Sequence, residues 1–276
     1  MPKQVMRIRI IDGQPVEQAQ DVSFTASPIY EVIRLFEGVP LFIESHLKRL
    51  YNSMQLTGLI LDLTMEQVVK AIQLLIELTH MSNTNVRLEI GKVSKDQLCW
   101  TLYLVESVYP ESAVYETGVE TTTYKIERPN PHAKVYRASF TELISVEKIK
   151  NNVFEVILVN ENGLITEGSR SNLFFIKGNT LFSAKRELVL EGITREKVLE
   201  VLAEQDINLI EEDLPSESLH SYEACFLTGT SIHILPISRI DSTYFDSANH
   251  PVIIALQNAF KTKIQNDLQQ TRRLYK

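Results

Sequence analysis

The sequence predicts an α+β protein of two domains. Three observations carry this. The hydrophobic period switches repeatedly between two and about 3.6 along 276 residues. Strand-like runs outnumber helical ones in both halves, and they do not alternate regularly with helices as a parallel α/β sheet would require. Between them, VYPESAVYETG at 108–118 shows no period and is rich in turn formers. The break puts a small domain at 1–115 and a larger one at 116–276, each of ordinary domain size.

Val5 to Ile10 alternates as a first strand, and IYEVIRLF followed by VPLFI reads as a hairpin closed near Glu37-Gly38. ESHLKRLYNSMQL then sets Leu47, Leu50, Tyr51 and Met54 on one helical face, with His46 and Arg49 three residues apart near its start. Thr64 with Gln67 forms a capping-box pattern ahead of the stripe Val68, Val69, Ile72, Leu75, Ile76. NVRLEIG and CWTLYLVE are strands joined by KVSKDQ. Beyond the break come VETTTYKI, a helix near 141–151, VFEVILVN, an Asn162-Gly163 turn, SNLFFIK and NTLFS. The helix TREKVLEVLAEQ, the strand YEACFLTG and a terminal helix from about 251 complete the chain, with no internal repeat.

Composition narrows the function. A formal charge of −7 argues against nucleic acid, whose phosphates need basic patches, while a locally positive pocket for small anions remains compatible. Cys99 and Cys225 each lie in an apolar run and read as buried free thiols. The six histidines lack ligand-like spacing, so no metal site is expected. No run reaches ~18 apolar residues and the first residues lack the apolar stretch of a signal peptide, so no membrane contact and a cytoplasmic location are expected.

Chemistry concentrates between Lys134 and Thr230. Lys134 follows the turn-rich Pro129-Asn130-Pro131-His132, which suits projection from a strand end. ITEGSRSN sets Glu167 among hydroxyls, LEGITREK opens a helix whose first amides form an anion site, and LTGTS is a second hydroxyl-and-glycine turn. Each piece has a plain alternative. A lone lysine is usually solvated, Glu167 taken alone reads as a turn residue and Thr194 as an ordinary helix cap. Arg49 reads as a solvated helix arginine, and Tyr30 and Arg87 as core or surface residues.

Taken together, FIESHLKRL, HAK, ITEGSRSNLFF, VLEGITRE and FLTGTSIHILPI resemble, in order and spacing, the class IV aminotransferases. That family includes branched-chain aminotransferases, D-amino-acid aminotransferase and aminodeoxychorismate lyase. The resemblance spans nearly the whole chain, and TEGSRSN followed by GITR is its most specific element. It implies the two-domain fold type IV architecture, a homodimer, and pyridoxal 5'-phosphate held between the domains. Lys134, about twenty residues before EVILVN, is then the Schiff-base lysine, with Lys148 and Lys150 as rivals in a polar helix-like run. Glu167 faces the pyridine nitrogen, and Leu190 packs on the ring. Ile193, Thr194, Gly229 and Thr230 hold the phosphate with Arg49 of the H-x-x-R pattern. Tyr30 points into the cleft, and Arg87 resembles the substrate-side arginine of a YIRP segment.

The residue types suit that chemistry. A buried lysine loses its proton to attack an aldehyde, a carboxylate beside the pyridine nitrogen keeps it protonated, and a helix start with an arginine fits a phosphate dianion. The expected reaction moves an amino group between an amino acid, branched-chain type favoured, and a 2-oxo acid. The rivals are an aminodeoxychorismate lyase, a cofactor-binding member without turnover and a plain interaction protein. FTASPIYE and GKVSKDQ depart from the family: the first lacks an F-G-D-G-like segment, and the second lacks the arginine-and-histidine loop of the D-specific enzyme. VYRASF after Lys134 is also unusual.

Overall fold

The computed structural model describes residues 8–17, 21–107, 109–205 and 207–274. The chain divides into two compact units, and neither is continuous in sequence. The first takes Met1–Val108, Ala133–Arg137 and Ile264–Lys276, and the second takes Tyr109–His132 and Ala138–Lys263.

The first unit is a six-stranded antiparallel sheet covered by two helices. Its strands are β1 (Arg9–Ile11), β2 (Gln14–Val16), β3 (Ile29–Phe36), β4 (Val39–Pro40), β5 (Asn85–Lys92) and β6 (Leu98–Val105), in the order β2-β1-β6-β5-β3-β4. The first strand expected from Val5 to Ile10 is described only from residue 8. The hairpin closes at Glu37 and Gly38, both at positive φ, a conformation that glycine takes without strain. Its second arm is shorter than VPLFI suggests. After Pro40 the Leu41 N–H still donates to the Arg34 carbonyl of β3 at 2.9 Å, and the chain then turns into α1 (Ile43–Thr57), so Leu41, Phe42 and Ile43 are buried outside the strand. Phe42 offers α1 no side-chain cap, and the carboxylate of Asp267 accepts its amide at 2.8 Å instead.

The helix α2 (Met65–Thr79) starts with the expected capping box, Gln67 N–H donating to Thr64 Oγ1 at 3.2 Å and Thr64 N–H to Gln67 Oε1 at 2.8 Å. Leu47, Leu50, Met54, Val68, Ile72 and Leu75 from the helices bury against Ile10, Ile33, Leu88 and Leu102 of the sheet. Strand β3 alternates strictly, so Ile29, Glu31, Ile33 and Leu35 turn into this core and Tyr30, Val32 and Arg34 turn to the opposite face. Where β4 does not reach, Val135 pairs with Ile29 in an isolated antiparallel bridge, and this bridge holds 133–137 in the unit.

The second unit is a ten-stranded mixed sheet. After α3 (Ser112–Thr117), a short helix within the patternless stretch, come β7 (Val119–Lys125), α4 (Ala138–Asn151), β8 (Glu155–Val159), β9 (Leu164–Gly168), β10 (Asn172–Lys177) and β11 (Thr180–Ala184). Then follow α5 (Ile193–Glu204), β12 (Asn208–Glu212), β13 (Leu214–Pro215), β14 (Ala224–Gly229), β15 (His233–Ile240) and β16 (Thr243–Tyr244). The order is β12-β11-β10-β14-β15-β7-β8-β9-β13, with β16 on β15. The fully buried runs in β8, β10 and β14 give this unit its core, including Phe175, Leu227 and Leu235. A last helix, α6 (Pro251–Leu274), contributes residues to both units.

The fold is thus α+β. Cys99 and Cys225 are buried free thiols, and among the described residues no helix is long and apolar enough to cross a membrane.

Candidate active site

Two clusters contain the residues singled out in the sequence, one in each unit. In the first unit Lys134 stands beside the Ile29–Val135 bridge. Its carbonyl accepts the Tyr30 N–H at 2.9 Å, and its own N–H donates to Ser53 Oγ at 3.2 Å. With its main chain fixed at both polar groups, Lys134 extends along Tyr30, its Nζ lying 4.8 Å from the ring centre. The Arg87 guanidinium sits against two aromatic rings, 4.2 Å from the centre of Tyr30 and 4.4 Å from that of Tyr136. It also pairs with Glu89, from Nε at 2.7 Å and Nη2 at 2.6 Å. Lys134, Tyr30 and Arg87 therefore form one group.

Arg49 lies on the core side of the same strand. Its Nε and Nη2 meet the two oxygens of Glu31 at 2.7 and 2.6 Å, and His46 Nδ1 lies 2.7 Å from Glu31 Oε2. The H-x-x-R spacing puts both side chains on one helical face. Glu31 is fully buried. Burial alone would raise its pKa, but the Arg49 charge and hydrogen bonds, with His46, outweigh it and bring the carboxyl down to about 2. Burial pushes His46 down, opposed by Glu31 and reinforced by the charges of Arg49 and Lys134. Sequence reasoning missed Glu31, although it directly follows Tyr30 in the same motif.

In the second unit Glu167 lies near the end of β9, a strand where the sequence suggests a turn, and it is 2 % exposed. Its Oε1 accepts Arg128 Nε at 2.5 Å, and its Oε2 accepts Asn172 Nδ2 at 3.2 Å and the Leu190 N–H at 3.1 Å. Asn172 also donates to the Leu190 carbonyl at 2.8 Å, which ties β10 to the segment ahead of α5. Gly192, the N-cap of α5, runs so close to Asn172 that a Cβ there would come within 2.0 Å of Oδ1. Ile193 and Thr194 then open the helix, both buried, on amides that the helix itself leaves without acceptors. Gly229 and Thr230 are half-buried at the end of β14, whose Thr228 lies opposite Asn172. The Thr228 hydroxyl is buried and has no hydrogen-bond partner among the described residues.

Arg128 and Glu155 carry no sequence signal that assigns them a role. Glu155 accepts the Ser169 hydroxyl at 2.6 Å, the Ser171 hydroxyl at 3.2 Å and the Arg170 N–H at 3.4 Å, pinning the TEGSRSN loop from beneath. Among the described residues no group of three or more His, Cys, Asp or Glu is arranged to hold a metal ion. The clusters instead offer an amine, a buried carboxylate with oriented donors, and helix-start amides with hydroxyls. Taken each by itself, the amine of the first unit suits an aldehyde, and the carboxylate and helix-start amides of the second suit a protonated ring nitrogen and a phosphate.

A family model described as amino-transferase class IV matches residues 28–240. Among curated proteins, a putative branched-chain-amino-acid aminotransferase of Methanocaldococcus jannaschii is 26% identical over 226 residues, covering 77% of this chain and 78% of that one. The D-alanine aminotransferase of Bacillus licheniformis is 26% identical over 255 residues, covering 88% and 89%. Among solved structures, the branched-chain aminotransferase of Thermoproteus uzoniensis with norvaline superposes with a TM-score of 0.82 at 20% identity, covering 96% of each chain. A T.th. branched-chain amino acid aminotransferase with pyridoxamine 5'-phosphate gives 0.81 at 21%, covering 94% of each. At these identities the two structures share the fold.

Proposed function

The chain belongs to the class IV aminotransferases, and from that premise we propose that it is a pyridoxal-phosphate enzyme moving an amino group between an amino acid and a 2-oxo acid. The observation that carries this reading is Glu167, a buried carboxylate whose two oxygens are oriented by a guanidinium, an amide side chain and a main-chain N–H. Such a group fits a cationic ring nitrogen better than a structural role in a strand, where an apolar residue would be more stable.

When bound, the cofactor supplies an aldehyde for amines and a ring that draws electrons from the carbon attached to them. The residues of the chain do the rest. Lys134 would hold the cofactor, and its amine would be the group that carries a proton to and from the substrate's reacting carbon. Its fixed main chain and its position along Tyr30 limit where Nζ can travel, which favours proton transfer to one face. Glu167 holds the proton on the ring nitrogen, and Leu190 packs on the ring. The first amides of α5, with Thr194 and with Gly229 and Thr230, bind the phosphate.

Arg49 contributes positive charge to the phosphate while Glu31 and His46 fix its orientation, since two of its nitrogens are engaged with Glu31. Tyr30 and Arg87 face the substrate side chain or carboxylate. Branched-chain substrates are favoured because several relatives are named branched-chain aminotransferases, and we expect the working enzyme to be a homodimer.

The test is a substrate panel. Branched-chain L-amino acids with 2-oxoglutarate, D-alanine with 2-oxoglutarate, and aminodeoxychorismate are offered separately to purified, cofactor-loaded protein. Amino transfer from a branched-chain donor is the expected result. Release of pyruvate from aminodeoxychorismate without amino transfer would replace the reading by an elimination.

A further inference from the structure

We propose that Arg128 is a positioning residue that keeps the proton on the cofactor's ring nitrogen by holding Glu167 in its anionic form. This rests on the reading of Glu167 given above.

Arg128 is fixed at both ends of its guanidinium. Nε donates to Glu167 Oε1 at 2.5 Å, and Nη2 donates to the Ser169 carbonyl at 2.7 Å. Ser169 is itself held, its hydroxyl donating to the buried Glu155 carboxylate at 2.6 Å. The Arg128 side chain is only 17 % exposed and that of Glu167 3 %, with the Phe140 ring centre 5.5 Å from the guanidinium carbon. A planar fork bound at two points and partly shielded from water has little freedom to turn away from the carboxylate.

The consequence concerns one proton. A buried carboxylate facing a pyridine nitrogen has two states of nearly the same geometry: carboxylate with N–H⁺, or carboxylic acid with bare nitrogen. Burial without other donors favours the neutral pair, because neither member then carries charge in a low-dielectric site. A charged donor in direct contact with the carboxylate reverses that preference, since it stabilises the anion on Oε1 more than it repels the more distant N–H⁺. The Asn172 and Leu190 donors on Oε2 act in the same direction. Arg128 therefore assigns the proton to the nitrogen, the state in which the ring withdraws electrons most strongly. A merely structural arginine would tie down the 169–171 loop and leave the proton where it was.

The experiment reads the proton directly. Enzyme loaded with cofactor carrying ¹⁵N at the ring nitrogen is measured by NMR at neutral pH as wild type, Arg128→Gln and Arg128→Lys. Wild type is expected to show the resonance of a protonated ring nitrogen. Arg128→Gln should move it to the unprotonated range, and Arg128→Lys, which keeps the charge, should restore it. A protonated signal in loaded Arg128→Gln overturns the proposal, whatever the change in cofactor affinity or melting temperature. A second measurement needs no folded variant of Arg128. In loaded wild type labelled with ¹³C at glutamate carboxyls, the Glu167 signal, assigned by its loss in Glu167→Gln, should lie in the ionised range, and a neutral carboxyl there also overturns it. Wild type that binds no cofactor at all would instead overturn the underlying reading of Glu167.

Discussion

Arg49 meets Glu31 through two nearly parallel hydrogen bonds, Nε to Oε1 at 2.7 Å and Nη2 to Oε2 at 2.6 Å, inside the core of the first unit. Glu31 is completely buried and Arg49 only 9 % exposed. Removing the negative member takes away the charge that Arg49 and His46 both meet in this buried place. Glu31→Gln is therefore expected to destabilise the protein by roughly 3–5 kcal/mol, read as a lower urea midpoint at constant slope. A change below about 1 kcal/mol would mean that Arg49 readily finds another partner.

The same pair sets an acid limit on stability. The folded-state pKa of Glu31 is depressed from 4.5 to about 2, so its contribution is complete above pH 4.5 and is lost as pH falls toward 2. That loss is on the order of 3 kcal/mol. His46 is depressed below 6.5 by burial, so the folded state resists its protonation, and stability begins to fall as pH drops below 6.5. Both groups act in the same direction. Denaturant titrations from pH 7.5 to 3.5 should show stability falling monotonically, with a weaker fall between 6.5 and 4.5 in His46→Gln. An identical slope there in the variant would contradict the assignment to His46.

Local signals made most of this fold legible. The capping box at Thr64, the Glu37-Gly38 turn and the apolar stripes of α1 and α2 are short-range patterns, and the structure realises each of them. What was not legible depends on distant partners. Leu41 to Ile43 is apolar enough for a strand, but once the Leu41 N–H has bonded to the Arg34 carbonyl the chain turns into α1. The return of 133–137 to the first unit depends on the Ile29–Val135 bridge, a contact across more than a hundred residues. Around the site, Glu167 and Asn172 lie within one motif, whereas Arg128 and Glu155 reach it through side-chain hydrogen bonds that have no sequence period.

Gly192 is required by close approach. A methyl group there would lie 2.0 Å from Asn172 Oδ1, and Asn172 cannot swing aside without giving up its bonds to Glu167 and to the Leu190 carbonyl. Gly192→Ala should cost about 2–4 kcal/mol through two weakened buried hydrogen bonds. Thermal melts of cofactor-free protein should fall by roughly 5–15 °C. An unchanged melting temperature would show that the segment ahead of α5 adjusts without disturbing Asn172.

Asp267 supplies the cap that Phe42 cannot. Asp267→Ala should lower stability by about 1 kcal/mol, as the loss of a helix cap does, while Asp267→Asn should lose only part of that, because its amide oxygen still accepts. Urea denaturation of the two variants in parallel decides it, and equal losses would point to a purely electrostatic effect at the start of α1.

The central claim is that Lys134 carries the cofactor. Purified protein loaded with pyridoxal phosphate is reduced with borohydride, digested and analysed by mass spectrometry. The reduced phosphopyridoxyl mass is expected on the peptide containing Lys134 and should vanish in Lys134→Ala. The same mass on Lys148 or Lys150, with Lys134 unmodified, would contradict the account.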